Sequence, residues 1–155
     1  MQAFQVSEKE LLGQLMNYQH PGLLQRMEEK LQLDSKRVGE LFQDMKRFLF
    51  LAGTMNKPLA PPEGIDEAWH NFILFTKDYE EFCRTHFGRF VHHVPVGPDD
   101  VASRDGRILR ETIEAARAVF GEGLSSNWSY GKEKCSDKCA PSTNCQPSSR
   151  SKCSG

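Results

Sequence analysis

The sequence has no long hydrophobic run: its most extended one is Phe48 to Ala52, against the roughly 20 apolar residues that a membrane-spanning helix needs. The first residues, Met1-Gln2-Ala3-Phe4-Gln5-Val6, lack the basic start and apolar stretch of a secretion signal. Charge of one sign is lacking too. With 20 Lys and Arg against 21 Asp and Glu, the net charge is -1, so no global field draws the chain toward nucleic acid or an anionic membrane surface. The expectation is a cytoplasmic protein with neither a membrane nor a nucleic-acid partner. There is also no Gly-rich phosphate loop, no Gly-x-Ser-x-Gly elbow and no His-Glu-x-x-His pair, so no residue is assigned a catalytic role.

What is present is helical patterning. A chain of 155 residues suits one domain with a real core. Ser7-Glu8-Lys9-Glu10 has capping-box spacing and precedes the apolar stripe Leu11, Leu12, Leu15 and Met16. Pro21 suits the first turn of a second helix, whose apolar face is Leu23, Leu24, Met27 and Leu31. Asp34 or Ser35 can cap a third, with Val38, Leu41, Phe42, Met45, Phe48, Leu49 and Ala52 recurring at three and four before Gly53. The prolines of Lys57 to Gly64 forbid a helix there.

Asp66 then stands where an N-cap is expected, ahead of Trp69, Phe72, Ile73 and Phe75. Thr76 or Asp78 restarts a helix carrying Tyr79, Phe82, Cys83, His86 and Phe87 and closed by Gly88, so the two are short helices or one kinked rod. After an extended connector, Phe90 to Gly97, the motif Pro98-Asp99-Asp100 opens a last helix with Ile108, Leu109, Thr112, Ile113, Ala116 and Phe120. The expected fold is all-α, a compact bundle of about five to six helices. It spans 1–125, with a flexible Ser/Cys-rich tail over 126–155. Leu124, Trp128 and Tyr130 are the last groups able to dock.

The unusual chemistry gathers between Asp66 and Pro95. Asp66 and His70 are four apart, as are Tyr79 and Cys83, so each pair shares a helix face. If the two helices pack antiparallel, His70, Cys83 and one of His92 or His93 converge, with Asp66 as fourth ligand or as an acceptor behind them. Imidazole with thiolate favours zinc. The alternative is a structural network of Asp66, His70 and Tyr79, with Trp69, Phe72, Phe82 and Phe87 as core and Cys83 as a small hydrophobe.

Asp66-x-x-Trp69-His70, followed by Leu74, Tyr79, Cys83, Gly88 and His93-x-Pro95, resembles the pattern of the glycine-rich domain-containing protein-like family, found in plant glycine-rich domain proteins and in short bacterial proteins. The resemblance covers 66–95 and departs from the family at Phe82, where that pattern carries a carboxylate before the cysteine. It implies an all-helical module with a shared core motif and no established reaction.

Cys135, Cys139, Cys145 and Cys153 place four thiols in the tail without a Cys-x2-Cys knuckle. Nearby lysines favour thiolate, which suits capture of zinc or cuprous copper, while low-complexity composition suits an appendage with no fixed structure. In a reducing compartment these are thiols or ligands before they are disulfides. The reading is a small helical binding module, with metal as its chemistry and a protein partner as its context. One alternative is a metal-free interaction module using the apolar surface of the helices, or docking of Leu124, Trp128 and Tyr130, to hold another chain. The other is an enzyme with Cys83 as nucleophile or metal ligand, His70 or His92 as base and Asp66 orienting it.

Overall fold

The computed structural model describes residues 6–95 and 106–130. Over these the chain is all-helical: α1 Glu8–Asn17, α2 Pro21–Leu31, α3 Ser35–Thr54, α4 Glu63–Ile73, α5 Thr76–Phe87, α6 Arg107–Phe120 and a 3₁₀ turn Ser126–Trp128. Among the described residues no helix is long and apolar enough to cross a membrane.

Local chemistry sets most of the helix starts. Ser7 accepts from the Glu10 backbone N–H at 3.3 Å while the Ser7 N–H donates to the Glu10 carboxylate at 3.0 Å, completing the capping box. Asp34 caps α3 through the Arg37 N–H at 2.8 Å. The cap of α2 is a histidine. His20 Nδ1 accepts from the Leu23 N–H at 2.9 Å, so its Nε2 carries the proton shared with Asp78 of α5 at 2.8 Å.

Two boundaries differ from expectation. α4 begins at Glu63 with Pro62 at its cap, and the Asp66 N–H already donates to the Pro62 carbonyl at 2.9 Å. Asp66 is therefore inside the first turn, and its carboxylate is spared for other partners. The α4–α5 rod is broken at Leu74-Phe75, where Phe75 leaves helical dihedrals (φ -83, ψ 66). Gly88 closes α5 in the left-handed region at φ 65. The Pro98-Asp99-Asp100 start lies outside the described residues, and the last helix is seen from Arg107, after Gly106 at φ 70.

α3 packs against each of the other five helices. Its apolar face, including Phe42, Met45, Phe48 and Leu49, meets Leu15, Leu23, Met27, Ile65, Trp69, Phe72, Phe82 and Ala116 in a continuous core. Phe87 is half-buried at its edge, lying so close over Gly53 that a Cβ there would meet the ring at 2.3 Å. Two charged groups of α3 are buried. Lys46 donates to the Met16 and Tyr18 carbonyls, both at 2.9 Å, and sits 4.5 Å from the Phe42 ring centre. It thereby satisfies the end of α1.

Asp44 accepts from Arg47 at 2.8 Å, from the Ser125 hydroxyl at 2.5 Å and from Asn127 at 2.9 Å. This carboxylate pins the segment after α6, and Trp128 is packed into the core at 2 % exposure. The ordered packing thus continues past residue 125. Trp128 closes the core instead of presenting a docking surface, which removes it from the interaction reading; Tyr130 stays exposed.

Candidate metal centre

The site is assembled from α4 and the connector that follows Gly88. Asp66 and His70 lie one turn apart on α4, with His70 Nε2 3.7 Å from Asp66 Oδ2. The connector returns past α4 and brings His93 Nε2 to 2.8 Å from Asp66 Oδ1. The ring centres of His70 and His93 are 4.4 Å apart. One donor atom from each of Asp66, His70 and His93 falls within 4.8 Å of the others.

The inner side of the same connector is held by a buried chain of hydrogen bonds. The Trp69 indole N–H donates to the Tyr79 hydroxyl at 3.0 Å, and that hydroxyl donates to the Val91 carbonyl at 2.5 Å. Val91 is two residues before His93. Successive side chains of extended backbone point to opposite sides, so anchoring Val91 inward fixes the connector's register. The Trp69 ring also lies against His93, with centres 4.4 Å apart, and against Phe48 at 5.3 Å. Burial raises the Tyr79 hydroxyl well above the usual tyrosine range, so it remains a neutral donor.

The expected convergence holds for Asp66, His70 and His93 and not for the other candidates. Cys83 is fully buried on the face of α5 it shares with Tyr79, against the Val91 backbone. Burial pushes its thiol up, outweighing the hydrogen bonds from the Val91 backbone and from Tyr79 that pull it down. It is outside the donor group and does not line the cleft beside it. His92 is exposed, stacks on Phe90 at 4.7 Å and is not in the donor group. Tyr79 bonds Trp69 and Val91, not Asp66 or His70, so the expected Asp66, His70 and Tyr79 network divides into two. Cys135, Cys139, Cys145 and Cys153 lie outside the described residues.

The donor group opens on a cleft of about 1160 Å³ lined by Phe48, Leu59, Ile73, Val91 and Ile108 among others. Its far wall is the proline-rich loop, which the Ala60 N–H ties to α6 through the Thr112 hydroxyl at 2.9 Å. Lys57 and Arg89 also line it. Sequence reasoning passed over both cations, since neither falls in a motif. Arg89 donates to the Ala52 and Gly53 carbonyls at 3.2 and 3.1 Å, bracing the end of α3.

Fold and site together define an all-helical module carrying a His–His–carboxylate group at the mouth of an apolar cleft. The chain belongs to the UCP032817-like family, whose model matches residues 12–113 and so includes all three donors. That match says nothing of the glycine-rich domain-containing protein-like family. No curated protein and no solved structure matches the chain.

Proposed function

We propose that this protein is a metal-binding module that holds one divalent transition ion, zinc first among them, on Asp66, His70 and His93. The observation that carries the reading is the convergence of two imidazole nitrogens and a carboxylate from separate segments within 4.8 Å. Ligand atoms on a tetrahedral zinc at its usual bond lengths stand about 3.3 Å apart. The contacts of Asp66 with His93 and with His70, 2.8 and 3.7 Å, bracket that spacing. In the metal-free form a hydrogen bond between His93 and Asp66 holds the two groups together, and coordination to the ion takes its place. Three protein ligands leave a coordination position facing the cleft, the arrangement of sites that bind or activate a further molecule.

Cobalt substitution tests this reading. Co(II) should bind with the absorption of a nitrogen and oxygen ligand set, free of a thiolate charge-transfer band, in the full chain with Cys135, Cys139, Cys145 and Cys153 replaced by serine. A spectrum that depends on those four cysteines would move the metal chemistry to the tail. A second reading has its own observation: the 2.8 Å bond between Asp66 and His93 ties the connector to α4 whether or not metal is bound. Under that reading Co(II) leaves the spectrum of the four-serine chain unchanged.

A further inference from the structure

The cleft beside the donor group is asymmetric in charge as well as polarity. Among the described residues that line it the one carboxylate is Asp66, engaged by both histidines, while Lys57 and Arg89 line it as cations. Lys57 is exposed and makes no ion pair or hydrogen bond among the described residues. Arg89 spends one nitrogen on two backbone carbonyls and keeps its other donors. The body of the cleft is apolar and rigid on its inner side, where Phe48, Trp69 and Val91 belong to the core. At about 1160 Å³ it exceeds the range of roughly 300–1,000 Å³ common for small-molecule sites.

We infer that the cleft binds a small amphipathic carboxylic acid, its hydrocarbon body on Leu59, Ile73 and Ile108 and its carboxylate beside Lys57 at the metal's open position. This rests on the metal reading above and adds the class of ligand. An anion is the charge that complements two cations and a dication-bearing centre. A hydrocarbon body is what displaces water from the apolar walls. A neutral alcohol of the same length lacks the first complement, and an alkylammonium ion is repelled by it.

Isothermal titration calorimetry of decanoate, decanol and decyltrimethylammonium into the full chain, with the four tail cysteines as serine, tests the inference in zinc-loaded and zinc-free protein. Decanoate should bind about tenfold more tightly with zinc than without, and more tightly than either control ligand. Lys57→Glu should weaken decanoate about fivefold and leave decanol unchanged. If zinc binds but decanoate is indifferent to it, or matches decanol, the inference is overturned and the metal reading stands. If zinc itself fails to bind, the metal reading falls and takes this inference with it.

Discussion

Replacing Tyr79 with phenylalanine separates what the hydroxyl does from what the ring does. The ring remains packed against Phe72, 5.1 Å between centres, and Phe90, 5.2 Å. The hydroxyl is lost, and two buried groups lose their partner, the Trp69 indole N–H and the Val91 carbonyl. Each costs about 1–3 kcal/mol when left unmet in the interior, and partial relaxation brings the pair to roughly 2–4 kcal/mol. Thermal denaturation followed by circular dichroism should show a drop in Tm on the order of 10 °C.

The same substitution frees Val91, two residues from His93, so zinc affinity should fall about tenfold although no ligand has changed. Asp44→Ala supplies the control for destabilisation alone, because Asp44 anchors the segment after α6 rather than the connector. If Tyr79→Phe moves stability by less than about 0.5 kcal/mol, or weakens zinc no more than Asp44→Ala does, the positioning argument is wrong.

Three further outcomes are expected. Asp44→Ala should cost about 3 kcal/mol, since it strips a buried acceptor from Arg47, Ser125 and Asn127, and urea titration measures it. In the chain whose tail cysteines are serine, Cys83 should react with a thiol-specific disulfide reagent only as fast as the protein opens, because burial both covers the thiol and raises its pKa; rapid reaction in the native state would contradict its placement. Burial, helped by the Arg47 charge, lowers Lys46 to about 8, below its unfolded value of about 10.4. The unfolded chain therefore holds more protons between those values. Stability of the native protein relative to Lys46→Met should rise as pH climbs through that window, by about 1–3 kcal/mol, as paired urea titrations at each pH would show.

Much of the helical layout was legible because it rests on short-range chemistry. The capping box at Ser7, Pro21 in the first turn of α2, the stripe of α3 and the glycine closing α5 each depend on residues a few positions apart. The start of α4 was not, because Pro62 caps by geometry alone and offers no side-chain signal, so the eye settles on Asp66. Asp66 and His70 could be paired from their spacing. His93 could only be offered alongside His92, since choosing between neighbours of an extended segment depends on which side Tyr79 grips through Val91.

Cys83 misled for the same reason that Asp66 did not. Spacing of four puts it on one face with Tyr79, and nothing local says that this face looks inward. Asp44 and Lys46 fall outside the apolar repeat of α3, and the groups that bury them arrive from 81 residues later and 28 residues earlier. Trp128 was recognisable as able to dock, but its place in the core is set by Asp44 holding Ser125 and Asn127.

The most direct test of a metal site on Asp66, His70 and His93 is zinc stoichiometry and affinity in the full chain with the four tail cysteines as serine, beside the same chain carrying His70→Ala. His70 is half exposed and makes no contact that the core needs, its side chain being 46 % accessible, so the variant should keep its Tm. The expected result is one zinc per chain in the parent and affinity at least about tenfold weaker in the variant. Zinc bound equally by both, or by neither, would contradict the site.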